Sequence, residues 1–135
     1  PNCKVIKGSF ANQGISDIDL RLLYSESWFT ILPLKDSIQP SGQSVTLQSI
    51  ACGTPVLITR TKGFWDNDNF KDKEHIYFLE KNNIELWKET IESLPNFKDH
   101  AYKKVQNSSK LLIEKNYDLD IFHRNFHSNL ENDKI

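Results

Sequence analysis

The sequence predicts an α/β fold: a three-layer, open parallel sheet of about four strands with helices on both faces. Short β-branched runs alternate with segments of helical periodicity, which is typical of βα units. Residues 29–32 and 56–58 are almost continuously apolar, as strands covered on both faces are, and both are expected to be central strands. Gly, Pro or polar residues bound each candidate strand. Together these observations indicate a Rossmann-like sheet.

Length and composition restrict the classes of protein to which the chain can belong. Its 135 residues predict a single domain over residues 1–135, and 38% hydrophobic with 26% charged residues is typical of a folded domain. A net charge of −1 argues against nucleic acid as a partner, because such proteins usually carry a basic stripe. No apolar run approaches the roughly 20 residues of a transmembrane segment. Cys3 and Cys52, in separate apolar contexts, fit a reducing, cytoplasmic compartment.

Four segments have the length and composition of strands. They are Cys3 to Lys7, Trp28 to Leu32, Pro55 to Thr59 and His75 to Leu79. The chain reaches the first of them by its third residue, with no cap or turn before it, so we expect a piece of a longer protein. In open α/β sheets ligands bind where the strands end, here in the loops that start at Gly8, Pro33 and Arg60.

Capping residues and apolar spacing predict the helices. The first is capped by Ser16, with Asp19 completing a capping box. The second spans Ser44 to Ala51 and ends where Gly53 supplies a left-handed conformation. The other predicted segments are a helix capped by Asn82 and stopped by Pro95, a helix from Lys98 to about Glu114, a last helix capped by Asp118, and a surface loop or lid from Asp66 to Glu74.

The segment from Pro33 to Arg60 is the most informative for function. A loop containing Ser41 and Gly42 opens directly into a helix. Such a junction leaves unpaired backbone N–H groups and the positive end of the helix dipole at the carboxyl edge of the sheet, which suits a phosphate. The alternative is that Ser41 only caps the helix.

Two stretches of sequence can be compared with a known family. Residues 22–33 read LLYSESWFTILP, a tyrosine-bearing helix that leads into a strand ending in Pro, and residues 41–56 read SGQSVTLQSIACGTPV. They resemble the C-terminal half of glycosyltransferases with the GT-B fold, particularly the large retaining family 4 (group 1). The likeness extends over essentially the whole chain, and residues 41–56 are its diagnostic block. The chain is then expected to be part of a GT-B C-terminal domain.

The resemblance implies a domain that binds a nucleotide-sugar donor. Gln48 stands where the family usually has the glutamate that binds the ribose hydroxyls, and Gly8 and Ser9 fall where the nucleobase would lie. No metal and no cofactor other than the donor substrate is implied. The residues assigned to the diphosphate or donor sugar are Ser41, Gly42, Gln43 and Ser44.

The chain also departs from the family pattern. The first motif glutamate would fall at Pro40, with Gln39 as its nearest polar neighbour. The amide of Gln48 can still hydrogen-bond a diol, but it loses a charge-assisted bond worth roughly 1 kcal/mol. The family's diphosphate-binding Arg and Lys lie in a strand–helix unit that is absent here. Arg60 and Lys62 are candidates for cationic support at the ligand edge, the alternative being solvated surface charges.

These residues predict a retaining glycosyltransferase that uses a nucleotide-sugar. The acceptor would bind a missing N-terminal domain of the same chain, and the fragment alone is expected to be inactive. Its relatives suggest polysaccharide biosynthesis in the cytoplasm, or at the inner membrane face through the missing part. The alternative is a non-catalytic, degenerate GT-B module that acts as a scaffold or interaction domain, which the missing carboxylates favour. A related GT-B epimerase fits residues 51–55 less well.

Two further expectations concern side chains outside this block. His123 and His127 are one helical turn apart, but no Asp, Glu or Cys stands at partner spacing, so we interpret them as ordinary helix residues. Phe64 and Trp65 are expected on an exposed interdomain face, with a risk of self-association.

Overall fold

The computed structural model describes residues 3–7 and 14–124. It contains a sheet of three parallel strands in the order β1-β2-β3, where β1 is Thr30–Leu32, β2 is Val56–Thr59 and β3 is Tyr77–Leu79. The helices are α1 (Asp17–Glu26), α2 (Gln43–Ala51), α3 (Ile84–Ser93) and α4 (His100–Asn116). A further helical stretch over residues 119–124 follows Asp118. The α/β class with an open parallel sheet is confirmed.

The predicted first strand, Cys3 to Lys7, is not part of this sheet, so the described residues hold three strands rather than about four. Its residues have no regular secondary structure, and Val5 keeps 72% of its surface exposed. A strand needs a neighbour for its backbone N–H and C=O groups, and none of the described strands pairs with this segment. A β-branched composition alone was therefore not sufficient to predict a strand of the sheet at Cys3 to Lys7.

β2 is the central strand and is buried along its whole length. Val56 and Ile58 pack on one face in a cluster with Phe70, and Leu57 packs on the other face in a cluster with Trp87. This alternation is what strand geometry requires of a sheet covered by helices on both sides. The expectation of a second central strand is wrong, because β1 lies at an edge and leaves Ile31 39% exposed.

The helix ends mostly follow the capping predictions. Ser16 caps α1, and Gly53, at a φ of 84°, ends α2 in the left-handed region. α3 is capped by Asn83 rather than by Asn82. The side-chain oxygen of Asn82 instead accepts a hydrogen bond of 2.7 Å from the indole N–H of Trp87. The side chain of Asn82 is thus engaged by a residue of α3 itself, five positions along the chain, and the cap lies one residue later than predicted.

The segment from Asp66 to Glu74 is a loop, but it is anchored to the core. Phe70, in its middle, is completely buried. Asp66 accepts a hydrogen bond from the hydroxyl of Tyr117, and Asp72 accepts one of 2.8 Å from the backbone of β3. The interpretation as a lid is therefore wrong, because both sides of Phe70 are tied to the rest of the domain.

The expectation that Phe64 is exposed on an interdomain face is also wrong. Its side chain is 6% exposed and belongs to the same apolar cluster as Phe70. The ring of Trp65 packs against it with centroids 4.1 Å apart and remains partly exposed. Phe64 closes one end of the core, and the polar composition of the loop that follows it did not indicate this.

Buried hydroxyl groups fix α2 to its neighbours. The Ser49 hydroxyl donates to the carbonyl oxygen of Thr54 at 2.9 Å and is 2.8 Å from the hydroxyl of Thr30. The Thr54 hydroxyl donates to the carbonyl oxygen of Tyr24, in the last turn of α1, at 2.6 Å. The hydroxyl of Thr46, buried in the same helix, has no hydrogen-bond partner among the described residues.

This contrast predicts opposite effects for one substitution at two sites. Thr54→Val removes a buried hydrogen bond to the Tyr24 carbonyl, which keeps only the N–H of Ser27 as a donor, and should lower the free energy of unfolding by about 0.5–1.5 kcal/mol. Thr46→Val removes a buried hydroxyl with no partner and should leave the stability unchanged or raise it by about 1 kcal/mol. Urea unfolding followed by circular dichroism measures both. Equal losses in the two variants would contradict the proposed role of the hydroxyl bonds.

The anchored loop predicts a dependence of stability on pH. Burial would raise the pKa of Asp66, but hydrogen bonds from Tyr117 and Asn69 outweigh it and lower that pKa below its usual value. A carboxylate with a lowered folded-state pKa stabilises the native state above its unfolded pKa, about 3.9 for Asp. The contribution is lost as the pH falls through the folded-state value. Below about pH 4 the protein should therefore lose stability partly through Asp66.

The measurement is urea unfolding at several acid pH values for the wild type, Asp66→Asn and Asp68→Asn. Asp68 is exposed in the same loop and serves as the control. We expect Asp66→Asn to have a shallower acid dependence than the other two proteins. Identical pH profiles for all three would show that Asp66 does not contribute.

Candidate functional site

The first turn of α2 lies at the carboxyl edge of the sheet. Gly42 precedes this turn with a φ of 77°, in the left-handed region that favours glycine. A Cβ atom added there would lie 3.0 Å from Ile58, 3.2 Å from Leu34 and 3.4 Å from Leu32. The turn is therefore seated directly on side chains at the ends of β1 and β2, and a side chain at this position would push it away.

The residues of this turn are mostly exposed. Ser41, Gln43 and Ser44 are exposed, and no side chain caps the helix. The first of its backbone bonds runs from the N–H of Thr46 to the carbonyl oxygen of Gly42 at 2.9 Å, so the three N–H groups before Thr46 have no helical partner. The interpretation of Ser41 as a mere cap is wrong. What the turn offers is free amides and the positive end of the helix dipole.

Gln48 lies on the side of α2 that faces α1. It is exposed and lines, with Arg21, Tyr24 and Cys52, a groove of about 420 Å³ between the two helices. Asp17 lines the groove as well, so its walls carry a carboxylate, a guanidinium and a phenol besides the amide of Gln48. The position is therefore accessible to a polar ligand.

The two cations that follow β2 both have carboxylate partners. The guanidinium of Arg60 lies 4.0 Å over the ring of Phe78, and its Nε is 3.6 Å from a carboxylate oxygen of Glu80. The ammonium of Lys62 is 3.7 Å from the carboxylate of Asp36, with both side chains largely exposed. Exposed pairs contribute only about 0–1 kcal/mol, so Lys62 can exchange its partner for another anion at low cost. Arg60 is held more firmly by its stacking.

Gly63 holds the loop after β2 against the loop that leads into α2. Its N–H donates to the carbonyl oxygen of Ser37 at 2.8 Å. A Cβ atom on Gly63 would lie 2.5 Å from the carbonyl group of Ile38 and 2.7 Å from the carbonyl oxygen of Gln39. Such distances exclude a side chain. A lone glycine after a strand was the only sequence signal for this contact, and it does not reveal which backbone comes close.

Several predicted positions lie outside the described residues, namely Gly8, Ser9 and His127. In residues 3–7 and 14–124 no three His, Cys, Asp or Glu side chains are grouped so that they could hold a metal ion. No helix in that part of the chain combines the length and the apolar character needed to cross a membrane.

Two residues that hold α2 in place, and do not themselves form the site, were not identified from the sequence. Ser49 and Thr54 belong to the diagnostic block, yet their hydroxyl groups are buried and bind backbone and side-chain atoms of the domain itself. Spacing alone does not separate such buried polar residues from ligand-binding ones. Part of the block is therefore structural.

Comparison of the chain with protein-family models, with curated proteins and with solved structures finds no match. Function must therefore be argued from the residues of the site and their geometry.

The contact at Gly63 predicts a coupling between the two loops. Gly63→Ala should lower the free energy of unfolding by about 1–3 kcal/mol, because the added methyl group collides with backbone. It should also shift the amide resonances of Gly42 to Ser44 in NMR spectra. Lys62→Ala, at the exposed neighbouring position, is the control and should change stability by less than about 0.5 kcal/mol. A Gly63→Ala variant that matches this control would refute the coupling.

Proposed function

We propose that the chain is the nucleotide-sugar-binding part of a retaining glycosyltransferase of the GT-B type. The observation that carries the proposal is the uncapped first turn of α2, open to solvent at the carboxyl edge of the sheet. The diphosphate of the donor would accept hydrogen bonds from the backbone N–H groups of Gln43, Ser44 and Val45. Ser41 and Gly42 would lie against the same group.

The chemistry required of this turn is stabilisation of a leaving group. When the sugar is transferred, negative charge develops on the diphosphate oxygen that leaves. Amides fixed by a helix stabilise that charge without having to reorganise during the reaction. In the proposal the ammonium of Lys62 leaves Asp36 and binds a phosphate oxygen. Arg60 stays paired with Glu80 and holds the carboxyl end of β3 in place.

The remaining donor contacts rest on the resemblance together with the position of α2. Gln48, in the groove between α1 and α2, would bind the ribose hydroxyls. Gly8 and Ser9 would lie near the nucleobase. The transfer of a sugar within polysaccharide biosynthesis, in the cytoplasm or at a membrane face, belongs to the same proposal and rests on the resemblance alone.

Exposed apolar side chains on α1 and β1 support the idea of a larger protein. Ile18 and Leu22, on the face of α1 predicted to be apolar, are 72% and 52% exposed, and Ile31 of β1 is 39% exposed. In a doubly wound sheet further parallel strands lie beside the strand at the switch point. The missing strand–helix units would cover these side chains and provide the diphosphate-binding cations. The N-terminal domain would bind the acceptor.

The test is an NMR titration of the chain with UDP-, GDP- and ADP-sugars. One of them should shift the amide resonances of residues 42–48, with weak affinity because part of the donor site is missing. Gly42→Trp should abolish the shifts, since a side chain at this position would collide with Ile58 and Leu34 and displace the turn. Gln48→Ala should weaken binding about tenfold, the value of one lost hydrogen bond to a ligand. Glu89→Trp, on the exposed side of α3, is the matched bulky control and should bind normally.

The second candidate function is a non-catalytic scaffold that keeps the fold. It is favoured by the carboxylate partners of Arg60 and Lys62 and by Gln39 and Pro40 in place of a motif carboxylate. The full-length protein separates the two functions. Turnover of a sugar nucleotide that both Gly42→Trp and Gln48→Ala destroy supports the transferase. Absence of turnover, together with no shifts in any of the titrations, would overturn the transferase.

A further inference from the structure

A second cavity lies at the edge of the sheet opposite to the first turn of α2. It has a volume of about 760 Å³ and lies between the C-terminal end of α3 and the N-terminal end of α4. Tyr77 and Phe78, at the start of β3, form part of its wall. Because all strands are parallel, the start of β3 marks the amino edge of the sheet. The cavity is therefore separate from the proposed donor site.

The helix α4 begins at this cavity without a side-chain cap. The carboxylate of Asp99, its N-cap residue, accepts a hydrogen bond of 2.7 Å from the backbone of Asn96 and makes none to the helix. The first backbone bond of the helix is donated by Lys103 to Asp99. His100 and Ala101 line the cavity, and their N–H groups have no helical partner. The positive end of the helix dipole therefore favours an anion at this end of the cavity.

The largely buried side chain of Tyr77 is a second, independent feature of the cavity. Tyr77 is 8% exposed, its ring packs edge-on against Phe29, and its side chain lines the cavity. No hydrogen bond joins the hydroxyl to another described residue, and it is not one of the buried polar atoms that lack a partner, so it keeps some access to solvent. Burial raises the pKa of Tyr77, and the charge of Asp72 adds to the effect, so the phenol stays protonated and can donate a hydrogen bond. The side chain is thus largely buried, while its hydroxyl remains available to donate to a ligand or to water.

The charged groups around the cavity favour an anion. Lys73 and Lys104 are exposed at its wall, and His100 adds an imidazole. Asp72 also lines it, but one of its carboxylate oxygens accepts a hydrogen bond of 2.8 Å from the backbone N–H of Phe78. The lining residues thus supply two ammonium groups and one carboxylate, and the carboxylate of Asp99 at the same helix end offsets part of the positive charge.

We propose that this cavity binds a small molecule with a phosphate monoester group. The phosphate would accept hydrogen bonds from the backbone N–H groups of His100 and Ala101 and from the hydroxyl of Tyr77, with Lys104 as its counter-ion. A phosphate fits because its terminal oxygens can accept donors that converge from several directions. The apolar part of the molecule would lie against Leu94 and Pro95, which line the same cavity.

The test is an NMR titration of the chain with phenyl phosphate at constant ionic strength, with inorganic phosphate and benzyl alcohol as separate arms. Phenyl phosphate should give saturable shifts of the His100 and Ala101 amides, with higher affinity than inorganic phosphate. Benzyl alcohol, which lacks the charge, should give none. Equal affinities for phenyl phosphate and inorganic phosphate would overturn the assignment of an organic ligand.

Three variants locate the phosphate. Lys104→Ala and Tyr77→Phe should each weaken binding about tenfold, the effect of one lost hydrogen bond to a charged group. Lys103→Ala is the matched control, since Lys103 is exposed on the same helix but contacts Tyr102 and Gln106, and it should change affinity less than about twofold. Absence of saturable shifts, or equal weakening by Lys103→Ala and Lys104→Ala, would refute the site. Neither result bears on residues 42–48, whose resonances report the donor site.

Discussion

α2 is fixed to the rest of the domain at both ends, and the position of every proposed donor-binding amide depends on this. At its C-terminal end the hydroxyl groups of Ser49 and Thr54 join it to β1 and α1. At its N-terminal end Gly42 rests on side chains of β1 and β2 with no room for a Cβ atom. Amides stabilise a developing charge only when they are held still, so this double attachment is the physical basis of the proposed site.

At both edges of the sheet a helix presents unpaired backbone N–H groups. α2 begins without a side-chain cap at the carboxyl edge, and α4 begins without one at the amino edge. At the carboxyl edge the described cations Arg60 and Lys62 already have carboxylate partners, whereas at the amino edge two lysines and one aspartate line the cavity.

The sheet is small, and one of its edges is incompletely covered. β2 is buried on both sides, but β1 and α1 expose apolar side chains such as Ile31 and Ile18. An uncovered parallel edge can pair with further strands, which makes it a natural place for the rest of a larger domain to attach. The proposed transferase and the alternative scaffold both need such a partner surface. They differ only in what happens at α2.

By itself the sequence determined the α/β class, the strands β1 to β3 within one or two residues at each end, and the glycine that ends α2. These features follow from local patterns of hydrophobicity and from backbone conformations that only certain residues adopt. The tertiary structure decided that Cys3 to Lys7 pairs with no described strand and that Phe64 is buried. It also decided that Ser49 and Thr54 bind the domain itself, while the turn at Gly42 stays open. Each of these outcomes depends on which distant groups come into contact, and residue spacing along a chain carries no information about them.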